Sequence, residues 1–156
     1  LFIDRDNTLI KCPEKKYITK KTDLIFYKER IKKIANISRD YNLCLIITNQ
    51  PQIAMGLCTW QEVIKINGII INQCQIWNLH IAGFYICPHH PHTGFNGEVE
   101  VLKTHCFCRK PSPGLILEAA KMRNIDLNKS LLIGDSEKDF YAAENSGTNF
   151  LSVFDL

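Results

Sequence analysis

No stretch of this chain approaches the roughly 20 consecutive apolar residues of a membrane span. The apolar opening Leu1-Phe2-Ile3 is too short to read as a secretory signal. Repeats and low-complexity tracts are also missing, which argues against a solenoid or a disordered scaffold. Excess charge is scarce: 19 Lys and Arg against 16 Asp and Glu leave a net charge of +3, too little to argue for nucleic acid by itself. The seven cysteines are an odd number, and Cys12, Cys44, Cys58 and Cys74 lack the spacing of a disulfide framework. A reducing compartment follows, and the expectation is a cytoplasmic, monomeric protein with neither membrane nor nucleic acid as partner. The chain begins without Met and with only three residues before its first acid, which leaves room for further residues upstream.

What is present suits one α/β domain spanning 1–156, long enough to bury a real core. Residues 1–3, 43–47, 81–86, 130–133 and 149–154 read as strands, the second as a continuous apolar run of the kind covered on both faces. Ile31, Ile34, Ala35 and Ile37 mark one face of a helix over 28–41. Thr59 followed by Glu62 is a capping box that opens a helix to about residue 78. Ser112 and Pro113 start a third helix, and a fourth ends at Gly147. Strands alternating with helices predict a doubly wound, Rossmann-like parallel sheet. Residues 7–26 read as a lysine-rich flap, and 87–110 as a long irregular loop. The intervals 7–47 and 49–109 are filled by these elements, so no cap domain fits.

Polar chemistry begins where the first apolar run stops. Asp4 and Asp6 stand one residue apart at a predicted strand end, where α/β sheets keep their ligands. Two carboxylates about 4 Å apart repel by about 4 kcal/mol at an effective dielectric constant near 20, so something cationic must hold them. Arg5, Lys11, Lys15, Lys16, Lys20 and Lys21 crowd around this motif, a local excess that suits an anionic small molecule. With so short a first strand, the acids are expected on a weakly anchored element.

Asp4-x-Asp6-x-Thr8 at a strand end, Thr48 at the next, Lys110 before a helix and Gly134-Asp135-x-x-x-Asp139 after a later strand occur in that order. Over essentially the whole chain this resembles the haloacid dehalogenase-like (HAD) hydrolases. The resemblance implies a magnesium-dependent phosphomonoester hydrolase: Asp4 is the nucleophile that forms an aspartyl phosphate, and Asp6 the acid and then the base. It implies magnesium on the Asp4 carboxylate, the Asp6 backbone carbonyl and Asp135. Thr48 and Lys110 would hold phosphoryl oxygens, Thr8, Asn49 and Gln50 would meet the substrate, and Asp139 would orient Lys110 or a metal-bound water. Tyr17 of the flap is a further substrate contact.

A second constellation is Cys87-x-His89 followed, after 16 residues, by Cys106-x-Cys108. Three thiolates and an imidazole make a closed tetrahedral zinc site of the structural kind, with His90, His92 and His105 competing for the imidazole position. Cys-Pro-His-His-Pro followed by Cys-x-Cys-Arg-Lys-Pro is similar to the zinc-loop branch of the same superfamily, which holds heptose bisphosphate and histidinol phosphate phosphatases. Thr48-Asn49-Gln50 with Ile53-Ala54 and Gly56, and the doubled His89-His90, are more similar to the heptose group. That implies D-glycero-D-manno-heptose 1,7-bisphosphate as substrate, with Arg109 on the second phosphate and histidinol phosphate as the nearest alternative. Asn7 stands where the family has Gly, Pro51-Gln52 where it has Ser-Gly, Met55 for Arg and Ser136 for Lys. The last three changes remove polar contacts, which keeps a non-catalytic, zinc-containing phosphosugar-binding module among the alternatives; a zinc-bearing nucleic-acid module leaves the catalytic motifs unexplained.

Overall fold

The structure is a computed structural model and describes residues 1–13 and 17–156. Lys15 and Lys16 of the basic cluster fall outside the described residues. Five parallel strands, β1 (Phe2–Ile3), β2 (Leu45–Asn49), β3 (Gly83–Cys87), β4 (Leu131–Gly134) and β5 (Asn149–Ser152), lie in the order β3-β2-β1-β4-β5. The helices are α1 (Lys28–Ile37), α2 (Trp60–Ile76), α3 (Gly114–Arg123) and α4 (Glu137–Ser146). The chain builds outward from β1 to β3, then returns to the other side of β1 for β4. That reversal places a topological switch point between β1 and β4, and a crevice opens beyond their carboxyl ends.

Alternation along the strands divides the core between two faces. Ile3, Ile46 and Ile133 point to the side where Ile31 and Ile34 of α1 and Ile66 and Ile70 of α2 are buried. Phe2, Leu45, Ile47 and Leu132 point to the other, against Leu115, Ile116 and Ala119 of α3 and Ala142 and Ala143 of α4. Each fully buried Ile or Leu contributes roughly 1.5–3 kcal/mol, so both layers of helices are held firmly to the sheet. The doubly wound sheet expected from the alternation of elements is therefore present. Among the described residues no domain is inserted between these elements, and no helix is long and apolar enough to cross a membrane.

The expectation of a weakly anchored first strand is overturned. Short as it is, β1 occupies the centre of the sheet, pairing Phe2 with Leu45 and Leu132, and Ile3 with Ile46 and Ile133. Asp4 continues the ladder by donating its N–H to the Ile133 carbonyl at 2.8 Å. Two other expectations shift locally. The first helix ends at Ile37 and tightens into a 3-10 turn at Ser38–Asp40, where the Ser38 hydroxyl donates to the Ala35 carbonyl. Ser112 does not cap the third helix: Pro113 takes the N-cap position, without a side-chain hydrogen bond. The capping box of Thr59 and Glu62 and the left-handed Gly147 cap are both formed.

Candidate active site

Asp4 follows β1 and Asp135 follows β4, so the two neighbouring strand ends deliver both carboxylates to the switch-point crevice. They line a cavity of about 340 Å³ together with Asp6, Asn7, Cys12, Tyr17, Asn49, Pro51, Arg109, Lys110, Ser136, Lys138 and Asp139. Lys110 is the buried cation at its base: its ammonium donates to Asp4 Oδ1 at 2.5 Å, to the Ile47 carbonyl at 3.0 Å and to Asp139 Oδ1. Asp139 turns its other oxygen to Ser136, accepting from the backbone N–H at 3.2 Å and the hydroxyl at 2.6 Å. Thr8, fully buried, donates to Asp4 Oδ2 at 3.2 Å.

One ammonium thus faces several acids. Burial, followed by the negative fields of Asp139 and Asp6, outweighs the attraction of Lys110 and pushes Asp4 up from 3.8 to about 7. Asp135 is raised as well, by burial and by Asp139. For Lys110 burial pulls downward, but Asp4 and Asp139 overcome it and hold the amine above its ordinary value, charged. Four acids, Asp4, Asp6, Asp135 and Asp139, share the crevice with Arg109, Lys110 and Lys138. Asp4, Asp135 and Asp139 offer carboxylate oxygens within 4.8 Å of one another, an all-oxygen donor set that suits a hard divalent cation. Asp139 is engaged by Lys110 and Ser136 and Asp4 by Lys110 and Thr8, so a cation here would share Asp4 with those donors and take Asp135 as a further carboxylate.

Asp6 reaches the cavity rim but is gripped from behind. Arg5 forks onto its carboxylate at 2.8–3.1 Å, and Gln50 Nε2 donates to its Oδ2 at 2.7 Å. Arg5 is fully buried, so it does not belong to the basic surface expected to attract an anion. Gln50 and Thr48 are buried too, off the cavity lining; Gln50 Nε2 also donates to the Thr48 hydroxyl at 2.8 Å. Thr8 likewise touches Asp4 and not the cavity. Tyr17 and Arg109 do line it.

Three features were not legible beforehand. Asn49, read as a substrate contact, clamps the peptide of Lys110: its Oδ1 accepts from Lys110 N and its Nδ2 donates to Lys110 O, both at 3.0 Å. Lys138, one turn beyond Asp135, brings a further cation to the cavity wall; an acid-lysine spacing of three at a helix start was the only signal for it. Cys12 also lines the wall, brought there by its N–H donating to Asn7 Oδ1 at 2.9 Å. Asn7 takes the left-handed conformation (φ 57°) that its place in the motif demands. Met55 is buried away from the cavity.

The cysteine-histidine cluster assembles at the end of β3. Sγ atoms of Cys87, Cys106 and Cys108 lie 3.2–3.5 Å apart. His89 Nδ1 lies 3.7 Å from Cys87 and 3.2 Å from Cys108. A tetrahedron with metal-sulfur bonds near 2.3 Å has edges of about 3.8 Å, so the four atoms need little movement to enclose a zinc ion. Among the competing histidines, His90 is buried and accepts from His92 N through Nδ1, and its ring packs edge-on against Phe95. His89 is therefore the imidazole of the cluster. Arg109 and Lys110 follow Cys108 directly, and Arg109 Nη1 donates back to the His89 carbonyl at 3.1 Å.

Residues 107–154 match the HAD-hydrolase-like family model. The chain is 34% identical over 149 residues to D-glycero-alpha-D-manno-heptose-1,7-bisphosphate 7-phosphatase of Photorhabdus laumondii, covering 94% of this chain and 76% of the relative. It is 32% identical over 152 residues to D-glycero-beta-D-manno-heptose-1,7-bisphosphate 7-phosphatase of Vibrio cholerae, with the same coverage of 94% and 76%. In fold it matches the D,D-heptose 1,7-bisphosphate phosphatase of B. bronchiseptica, solved with magnesium and phosphate, at a TM-score of 0.79 and 23% identity, covering 96% of this chain and 77% of that one.

Proposed function

Because the chain belongs to the HAD-like phosphatases, in the branch of the heptose-1,7-bisphosphate 7-phosphatases, we propose that it removes the 7-phosphate of D-glycero-D-manno-heptose 1,7-bisphosphate. The observation that carries this reading is the buried Asp4–Lys110–Asp139 triad at the switch point, with Asp6 and Asp135 opening onto the same cavity.

Asp4 attacks phosphorus, and the phosphorus–oxygen bond to the sugar breaks as the aspartyl phosphate forms. Asp6 gives its proton to the departing sugar oxygen. In the second half-reaction Asp6 takes a proton from water, the water oxygen bonds to phosphorus, and the Asp4 carboxylate leaves with its electron pair. Thr8 and Lys110 keep Asp4 in one rotamer through both steps, one on each carboxylate oxygen. Lys110 also offsets the charge that builds on the phosphoryl oxygens. Magnesium would be held by Asp4, Asp135 and the Asp6 backbone carbonyl; when bound it supplies the positive charge that the crowded acids and the phosphoryl group require. The oxygen-only donors and the raised Asp4 and Asp135 support that fit.

Cys87, His89, Cys106 and Cys108 would hold a structural zinc that fixes the 87–110 loop within the single 1–156 domain. Arg109 and Lys138 would meet the second phosphate and Tyr17 the sugar, a reading supported by all three lining the cavity. The changes at 55 and 136 weigh little against turnover, since Met55 lies off the cavity and Ser136 serves Asp139.

A phosphate-release panel with magnesium tests the reading. Heptose bisphosphate is expected to turn over fastest, ahead of histidinol phosphate and simple sugar phosphates. Preference for histidinol phosphate would move the substrate, and no release from any of them, with magnesium bound, would favour a binding protein. Asp4→Asn should abolish turnover with an unchanged circular dichroism spectrum; wild-type-like activity would remove Asp4 as nucleophile.

A further inference from the structure

Helix α2 carries a polar residue on a face that is otherwise apolar. Val63, Ile66, Ile70 and Cys74 are buried there, and Asn67 lies among them, fully buried. Its Oδ1 accepts from Arg5 Nη1 at 3.0 Å, while its Nδ2 has no partner among the described residues. A buried amide with one half unsatisfied is costly in a place where Leu would suit the core, so the half that is used should matter.

What it uses is the outer edge of a guanidinium. Arg5 is planar and has a different nitrogen for each neighbour: Nη1 goes to Asn67, whereas Nε and Nη2 go to the Asp6 carboxylate at 3.1 and 2.8 Å. Fixing Nη1 therefore fixes the plane in which the other edge meets Asp6. Gln50 closes the opposite side, donating to Asp6 Oδ2 and accepting from Gln52 Nε2 at 2.5 Å. We propose that Asn67 is a positioning residue for the proton-transfer carboxylate, acting through Arg5 to fix the plane in which Asp6 is held. Asn67 touches neither the cavity nor any metal-ligating group, and is linked to the chemistry by this one fork.

The inference rests on the reading that Asp6 is the acid, and leaving-group dependence tests both. Single-turnover release is measured with the metal-loaded enzyme on an alkyl phosphate, whose alkoxide must be protonated, and on p-nitrophenyl phosphate, whose phenolate leaves without a proton. Asn67→Leu is expected to slow the alkyl substrate about tenfold more than the aryl one, with KM for both little changed. Asn67→Asp, which keeps an acceptor at the same place, should restore the wild-type ratio. Equal slowing of both substrates by Asn67→Leu would overturn the proposal and leave Asn67 a packing residue. If that variant does not fold, Asn67→Ser, too short to reach Arg5, carries the same comparison. Asp6→Asn is the reference: if it shows no leaving-group dependence, the acid assignment fails; if it does and the Asn67 variants do not, only the positioning role fails.

Discussion

Lys110 is held at both ends, its ammonium by Asp4 and Asp139 and its peptide by the Asn49 amide. The second grip is the less obvious one and is open to test. Asn49→Ala removes a donor and an acceptor from the backbone of one residue, a loss of about 1–3 kcal/mol where the groups stay buried. An ångström of freedom at a catalytic side chain can cost about 100-fold in rate. We expect kcat to fall by roughly 10- to 100-fold, with a modest drop in thermal midpoint. Unchanged kcat would mean that the ammonium contacts alone locate Lys110. Lys110 itself was legible in the sequence, standing between Arg109 and Pro111 before a helix. The role of Asn49 was not, because an amide at a strand end can face a ligand or a neighbouring backbone equally well, and only the approach of the 87–110 loop decides.

At the scale of elements, the junction from β4 to α4 does the most to shape the site. A Cβ on Gly134 would stand 2.5 Å from Cβ and Cγ of Asp139, so the strand can approach the helix start only as glycine. Asp139 cannot simply move aside, since it closes the capping box with Ser136 and holds Lys110. Gly134→Ala is therefore expected to lower both the melting temperature and kcat. Gly147→Ala makes a useful contrast. There the added methyl meets open space but a left-handed φ of 75°, so a cost of about 1 kcal/mol with normal kcat is expected. Thermal melts with steady-state kinetics on both variants check this; equal effects on kcat would argue against a special junction at Gly134.

For the whole molecule, the crowded acids make stability depend on metal and pH together. Asp4 is raised from 3.8 to about 7, so between those values the folded chain binds more protons than the unfolded one, and stability falls as pH rises. Lys110 is raised above 10.5, and its contribution is fully present throughout this window. The metal-free protein should melt lower at pH 7.5 than at pH 5. Magnesium, which needs ionised carboxylates, should raise the midpoint more at pH 7.5. A magnesium shift independent of pH would place the ion away from Asp4. A zinc ion on the four ligands would act through the loop: because Cys108, Arg109 and Lys110 are consecutive, stripping the metal should lower activity by displacing both cations. Metal analysis paired with turnover tests this, and normal rates in protein free of zinc would refute it.

The order of strands and helices, the capping box of Thr59 and Glu62 and the four metal-type ligands could be read from the sequence, because each depends on local spacing: a periodicity, a cap three residues from its partner, Cys-x-His and Cys-x-Cys. The same holds for Asp4, Lys110 and Asp135 as a set, since each stands where an apolar run or a helix begins or ends. Tertiary structure alone decided which polar side chains face the cavity. Arg5 and Thr8 sit beside the key acids in sequence, and Thr48 and Gln50 at the next strand end, yet all four are buried behind the cavity, while Lys138 and Cys12 reach the wall. It also decided that a two-residue strand is firmly held, because β1 lies at the centre of the sheet. The physical reason is common to both cases: burial and long-range pairing depend on what packs from distant parts of the chain, here Asn67, Asn49 and the strands on either side, and no local pattern records it.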